Sequence, residues 1–285
     1  MWLYDLKSPN DVRTLGDCLG ASFKKEIPFE SGQWIYYVNE VRQDSLNKKI
    51  RAKSKIVAVE MSAPQTDLSF AYESPFLVVL NKASGVPTQK TLKQNQDNLY
   101  DQVRRFYVLQ QKGPKNLPYV GLHHRLDRDT SGLVLLTKKS SANKAVSDLF
   151  KNKKIKKTYL AFTEYGEGLP AKSWEVRNLI SRGPSKRGRF YFQVGIKGDE
   201  AITRFRLLES LDQQWHKIEC EPLTGRTHQL RVHLSHQGWP ILGDRTYAKN
   251  FKSHKVDRLM LHACRLEFQF QGQGVVVEAM PDWGL

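Results

Sequence analysis

The chain has 285 residues, 40% of them hydrophobic, which is material for one large domain or for a core domain with a small appendage. Its 45 Lys plus Arg against 29 Asp plus Glu leave a formal net charge of +16, a surplus that points to a polyanionic partner. No apolar run approaches the roughly 20 residues of a bilayer span, and charges interrupt the N-terminus where a secretory signal would be apolar, so the expectation is a cytoplasmic protein that binds nucleic acid rather than a membrane.

In chain order, a small N-terminal module is expected over residues 1–66. Leu15, Cys18 and Leu19 have helical spacing, and Trp34 to Val38 and Ile56 to Val59 are short apolar strands. The run Lys48, Lys49, Arg51, Lys53, Lys55 fits either a solvated edge that resists aggregation or a surface turned toward RNA. Ser, Pro, Gln, Thr and Asp cluster from Ser62 to Tyr72 as in a linker, and a larger domain follows over residues 73–285.

That domain is strand-rich: Phe76 to Leu80, Leu133 to Thr137, Thr158 to Phe162, Phe190 to Val194, Ala201 to Leu208 and His216 to Cys220 favour β structure. Ala142, Ala145, Val146, Leu149 and Phe150 share one helical face, and the helix ends in Lys151, Lys153, Lys154, Lys156 and Lys157, more cations than a C-terminus needs for capping. The predicted class is α+β, an extended, mainly antiparallel mixed sheet with flanking helices, plus the small N-terminal α/β module. Cys18, Cys220 and Cys264 are odd in number, scattered and without metal-ligand spacing, and are expected reduced and buried.

The densest polar stretch is His123-His124-Arg125-Leu126-Asp127-Arg128-Asp129-Thr130-Ser131-Gly132, feeding directly into the apolar strand Leu133 to Thr137. A rigid strand below such a loop can hold reactive groups in place. Two arginines flank Asp127 and favour its ionised form, which suits a base or nucleophile; the competing reading is a turn in which Asp and Thr bond local backbone. Asp127-x-Asp129 as a metal pair is opposed by Arg125 and Arg128, and Ser131 lacks the Gly-x-Ser-x-Gly elbow of a nucleophile.

A second cluster runs Gly225-Arg226-Thr227-His228-Gln229-Leu230-Arg231-Val232-His233-Leu234, followed by His236. No Cys or carboxylate completes a ligand set for the three histidines, so no metal is expected. Thr227 as cap and Gly238 as terminator favour a short helix over a strand. Tyr159, within Lys157-Thr158-Tyr159-Leu160-Ala161, reads either as a strand aromatic facing the core or as a functional ring.

Taken together, His124-Arg125-Leu126-Asp127-x-x-Thr130-Ser131-Gly132 resembles the signature of the RluA-type pseudouridine synthases. Asn81-Lys82-Ala83-Ser84-Gly85 resembles the family's first motif, with Ala83 where proline usually stands. Lys157 to Ala161 is similar to its tyrosine motif, and Gly225 to Leu234, with Pro240-Ile241-x-Gly243-Asp244 and Tyr247 behind it, to its arginine motif. Leu261-His262-Ala263 is similar to its closing strand, although Ala248 replaces the usual glycine and the His-Pro that often follows is absent. The N-terminal portion, with Tyr37-Val38-Asn39 and Ile56 to Val59, resembles in divergent form the S-four-like RNA-binding module of many members.

The resemblance implies an isomerase that converts a uridine within a folded ribosomal or transfer RNA to pseudouridine, with no cofactor, no metal and RNA as the partner. It implies Asp127 as the catalytic carboxylate, Arg226 as the cation that pairs with it, Tyr159 packed on the uracil, Leu230 as a pocket wall, and Arg125 propping the space left by the flipped nucleotide. Phosphate contacts are expected from Lys151 to Lys157 and Ser185 to Arg189, and the working form is expected to be a monomer. The rival readings are a noncatalytic RNA-binding or ribosome-assembly factor on the same fold and a base-removing glycosylase.

Overall fold

A computed structural model describes residues 3–8, 10–11, 13–23, 34–61, 67–90, 97–164, 171–184, 191–211, 215–248 and 256–283. The chain divides into two compact units: residues 1–68, 89–121 and 138–140 form the first, and 69–88, 122–137 and 141–285 the second. None of the described helices is long and apolar enough to cross a membrane.

The first unit contains β1 (Leu3–Lys7), β2 (Arg13–Thr14), α1 (Leu15–Phe23), β3 (Trp34–Val38), β4 (Val41–Gln43), β5 (Lys49–Ile50), β6 (Lys55–Glu60) and α2 (Leu99–Gln110). Its main sheet runs β1-β6-β3-β4. Leu15, Cys18 and Leu19 of α1 pack with Tyr36, Ile56 and Ala58, while Val108 of α2 joins Ile35, Tyr37, Val57 and Val59 in a second cluster. The first unit ends its opening stretch at Leu68, inside the Ser62 to Tyr72 segment, yet residues 89–121, assigned from the sequence to the larger domain, belong with it. Burial of Val108 among the strands of β3 and β6 is the reason. Asn98 starts α2 by accepting from the Asp101 amide at 3.1 Å and donating to the Asp101 carboxylate at 2.8 Å, a reciprocal cap that satisfies otherwise unpaired groups of the first turn.

The second unit is built on one large sheet. After β7 (Phe70–Glu73), β8 (Leu77–Lys82) and the short β9 (Gly121–Leu122) come β10 (Ser131–Thr137), α3 (Asn143–Lys151), β11 (Lys156–Glu164), β12 (Ser173–Arg182), β13 (Phe192–Gly195), β14 (Asp199–Leu211), β15 (Trp215–Pro222), α4 (Gln229–His236), β16 (Leu261–Phe270) and β17 (Gln273–Glu278). The order is β13-β12-β14-β15-β11-β16-β10-β8-β7, with β17 beside the far half of β16. All of these pairs are antiparallel except β10 with β16. This is the expected α+β, mainly antiparallel mixed sheet.

Strand β10 reads Ser-Gly-Leu-Val-Leu-Leu-Thr and is buried along its whole length, which a continuous apolar run in a central strand allows. Its Leu133 and Leu135 pack with Val146 of α3 and with Leu266 and Phe268 of β16, whereas Leu230 and Leu234 of α4 pack on Ala161, Val176, Phe205 and Ile218. One transverse row of the sheet connects the motifs: Lys82 is opposite Gly132, Gly132 opposite Ala263, Ala263 opposite Tyr159, and Tyr159 opposite Cys220. A register shift between Thr158 and Tyr159 sets the tyrosine in that row.

Glycine is required at the middle of the row. Gly132 has φ +115, and a Cβ there would collide with the Ala263 carbonyl oxygen and lie 2.5 Å from the Ala263 nitrogen. Gly85 also has positive φ, +84, but a Cβ would meet nothing within 4 Å. Gly132→Ala is therefore expected to destabilise the protein by about 3 kcal/mol or more, against about 1 kcal/mol for Gly85→Ala. Denaturant midpoints of the two variants check this, and equal losses would show that β10 and β16 can separate to admit a methyl group.

Candidate active site

The loop that carries Asp127 is held from beneath by the segment following β8. Lys82, almost fully buried, donates from Nζ to the carbonyls of Ala83, Val86 and Arg128 at 2.9, 2.8 and 3.0 Å. Ser84 donates to the Asp129 carbonyl at 2.6 Å, Gly85 N–H to the Arg128 carbonyl at 3.0 Å, and the Thr88 hydroxyl both donates to the Leu126 carbonyl and accepts from its N–H. Buried backbone groups that would otherwise be unpaired are thus satisfied by one short segment. Burial pushes the Lys82 ammonium down to about 7, opposed by the charges of Asp129 and Asp127. Ala83, where the related motif has proline, still supplies its carbonyl to this clamp.

Asp127 is reached from the other side by α4. Arg231, on that helix, makes a two-pronged contact with the buried Asp244, Nε to Oδ2 at 2.7 Å and one terminal nitrogen to Oδ1 at 2.9 Å. Its remaining nitrogen lies 3.4 Å from Asp127 Oδ2. Asp244 Oδ1 also accepts from the amides of Thr246 and Tyr247, at 2.9 and 3.1 Å, so the buried carboxylate is well supplied with donors. Although burial lowers it, hydrogen bonding and the charges of Asp244 and Asp127 hold the Arg231 guanidinium above its ordinary pKa. The guanidinium also sits 5.0 Å from the centre of the Tyr247 ring.

The expectation that Arg226 pairs with Asp127 is corrected by this geometry. Arg226 lies in the loop before α4, half-exposed, where its side chain donates to the Glu200 carbonyl at 3.0 Å and lies 3.6 Å from Asp199. Five residues later, on the buried face of α4, Arg231 points at the carboxylate. The loop is fixed by Gln229, which accepts from the Thr224 hydroxyl and the Arg226 amide and donates to Ile202 and Thr203 of β14. Thr227 is not the cap; His228 precedes the helix in a left-handed conformation, φ +56, while Gly238, φ +85, lies just beyond its end.

The other anticipated residues fall around Asp127 unequally. Tyr159 is partly buried and packs on the cluster that contains Leu230, and its phenol is raised by burial first and by the Asp127 charge second. Arg125 is exposed, and among the described residues nothing bonds its guanidinium. His124 accepts from the Leu135 amide at 2.8 Å and stacks on Phe150, and burial holds it down to about 3, which fits a neutral structural ring. Ser131 bridges Arg258 and His262, at 2.7 and 2.8 Å, and His262 donates onward to the Ala279 carbonyl at 2.9 Å. It is a joint between β10 and β16 and not a nucleophile. The three cysteines are free and buried.

Sequence reasoning missed His228 as a neighbour of Asp127: Nε2 is 3.8 Å from Oδ2. A single histidine amid three in one motif gave no signal of which ring faces the carboxylate. A cleft of about 700 Å³ runs along the Arg231–Asp244 pair, lined also by Lys82, Arg128, Arg245 and Arg258; Asp127 and Tyr159 are not among its lining residues. Among the described residues, no group of three or more His, Cys, Asp or Glu is placed to hold a metal ion.

Residues 76–236 match the family of RNA pseudouridylate synthases. An RNA pseudouridine synthase of Haemophilus influenzae is 34% identical over 76% of this chain and 89% of its own. Ribosomal large subunit pseudouridine synthase C of Rickettsia felis is 34% identical over 77% of this chain and 70% of its own. The solved structure of human RNA pseudouridylate synthase domain containing 1 superimposes with a TM-score of 0.62 at 26% identity, covering 77% of this chain and 85% of that one. The chain belongs to the RNA pseudouridine synthase family, of the RluA type, and is an isomerase acting on RNA.

The Lys82 clamp gives a test that does not touch the carboxylate. Lys82→Met takes the ammonium donor from the carbonyls of Ala83 and Val86, while the Arg128 carbonyl keeps Gly85 N–H, at about 1 kcal/mol or more for each part-buried group that loses its donor. The variant is expected to lose at least about 2 kcal/mol of stability and most of its isomerase activity. A stable variant with wild-type turnover, measured by chemical denaturation and tritium release, would mean that the loop holds its shape without this cation.

Proposed function

We propose that this enzyme isomerises a uridine in large-subunit ribosomal RNA, with Asp127 as the catalytic carboxylate. The observation that carries the reading is the partly exposed carboxylate of Asp127, 3.4 Å from the buried Arg231 and near enough to Tyr159 for its charge to raise that phenol. Ribosomal RNA is favoured over transfer RNA because the Rickettsia felis relative, and one from Borreliella burgdorferi, 31% identical over 70% of this chain, are named for the large ribosomal subunit.

The reaction breaks the bond from ribose to uracil nitrogen 1, turns the base while it stays bound, and rejoins it through carbon 5, which gives up its proton while nitrogen 1 takes one up. No redox step or hydrolysis is involved. A carboxylate beside ribose carbons 1′ and 2′ is the one charged group the chemistry demands, and Arg231, 3.4 Å from Asp127 Oδ2, orients it. Tyr159 and Leu230 form an apolar surface that retains the detached base. The Tyr159 phenol is raised by burial first and by the Asp127 charge second, and its ring packs on the cluster that contains Leu230.

Bringing the uridine out of a stem costs a few kcal/mol, which phosphate contacts offset. Exposed Arg125 is free to enter the vacated space. In the lysine run, Lys151, Lys153, Lys154 and Lys156 are exposed, and Lys156 is within 4.0 Å of Glu221 and 3.9 Å of Glu267. Lys157 differs: it is half-buried, lowered by burial, without a salt-bridge partner among the described residues, and its ammonium lies 3.8 Å from where a Cβ of Gly225 would stand. A cation beside the arginine-motif loop suits an RNA phosphate. The other expected phosphate contacts, Ser185 to Arg189, lie outside the described residues.

Asp127→Asn is expected to abolish isomerisation while RNA affinity changes little, since the amide is nearly isosteric but is neither base nor nucleophile. Tritium release from RNA labelled at uridine carbon 5 measures it, and activity within about tenfold of wild type would remove Asp127 from the mechanism. Replacing Lys153, Lys154, Lys156 and Lys157 together by Gln should weaken RNA binding without altering which uridine is modified. The slope of log affinity against log salt should flatten by roughly 0.7 per lost contact in single-stranded regions. An unchanged slope would make the run a solvated helix end.

A further inference from the structure

His228 is held in a way that a merely packed histidine does not need. The Phe192 N–H donates to the Tyr247 hydroxyl at 2.9 Å, and that hydroxyl lies 2.8 Å from His228 Nδ1. A phenol has one proton. With its oxygen already accepting from Phe192, that proton is directed to Nδ1, and the neutral imidazole then carries its own proton on Nε2. Burial lowers the ring's pKa and so favours the neutral form. Nε2 is the nitrogen that faces Asp127 Oδ2, at 3.8 Å. Phe192 and Tyr247 hold the ring edge-on from two directions, with centroids 5.4 and 5.7 Å away.

The backbone shows the same bias. His228 occupies the left-handed region at φ +56, which a residue with a Cβ seldom adopts, immediately before α4 begins. Among the described residues, both charged or polar partners of Asp127, Arg231 and His228, converge on Oδ2, and none contacts Oδ1.

We propose that His228 is a positioning residue: its Nε2–H, fixed by Tyr247, closes onto Asp127 Oδ2 when the uridine binds, so that Oδ1 is the oxygen presented to the ribose. This rests on Asp127 being the catalytic carboxylate. No bond to His228 forms and no proton leaves it; the ring and Arg231 prevent the carboxylate from rotating and so select one of its two oxygens.

Single-turnover tritium release at saturating enzyme, paired with RNA affinity by filter binding, tests it in the full chain. His228→Phe removes the donor and keeps a ring, while Tyr247→Phe removes only the hydroxyl that sets the tautomer. Both should slow the chemical step by about tenfold or more, as expected for loss of a hydrogen bond to a charged group, with RNA affinity within about twofold of wild type. His228→Gln, which restores an N–H at similar reach, should recover to within about threefold of wild type. Chemistry at the wild-type rate in His228→Phe, or His228→Gln as slow as His228→Phe at equal thermal midpoint and equal RNA affinity, would overturn the assignment. Asp127→Asn run alongside separates the two claims: full activity there removes the underlying reading, whereas an inactive Asp127→Asn with a normal His228→Phe removes only this one.

Discussion

The buried ion pair between Arg231 and Asp244 is the constraint on which the site depends. A guanidinium taken out of water needs a partner, and Asp244 supplies both carboxylate oxygens to it while drawing two backbone amides from the turn at Thr246 and Tyr247. That contact uses Nε and one terminal nitrogen of the guanidinium, and the other terminal nitrogen lies 3.4 Å from Asp127. Asp127 remains partly exposed, and among the described residues its side-chain contacts fall on Oδ2. The same turn also delivers Tyr247 to His228, so the elements after α4 organise both neighbours of the carboxylate.

The sheet explains why segments far apart in sequence meet. Lys82, Gly132, Ala263 and Tyr159 occupy adjacent strands in one transverse row, and the Asp127 loop leaves β10 a few residues from Gly132. Side-chain-free Gly132 lets β10 lie against Ala263, the parallel contact that closes the middle of an otherwise antiparallel sheet. A register shift between Thr158 and Tyr159 sets the tyrosine in this row.

Much of this was legible in the sequence. The apolar runs at Trp34 to Val38 and Leu133 to Thr137, and the one-faced helix after Ala142, appear where their periodicities put them. Asp127 stood out through its charged neighbours and its place before a buried strand. The choice between Arg226 and Arg231 was not legible, because both lie in one motif and only the onset of α4 at Gln229 decides which arginine faces inward. Helix α2 was missed for a related reason: its buried face contains Asp101, Arg104 and Arg105, so apolar spacing is weak, and tertiary packing against the first unit's strands supplies what periodicity does not. The partnership of His228 with Tyr247 spans 19 residues and depends on a left-handed backbone that no local pattern in the sequence announces.

The central claim is that Arg231, and not Arg226, orients the carboxylate. Lysine in place of either keeps the positive charge but loses the planar fork, so that it cannot serve Asp244 and Asp127 together. The direct measurement is single-turnover isomerisation by Arg231→Lys and Arg226→Lys, each shown folded by thermal melting. The account predicts a loss of about a hundredfold or more for Arg231→Lys and less than about fivefold for Arg226→Lys, the first from a misplaced carboxylate and the second from a rim contact. The reverse order, with Arg226→Lys inactive and Arg231→Lys near wild type, would contradict it.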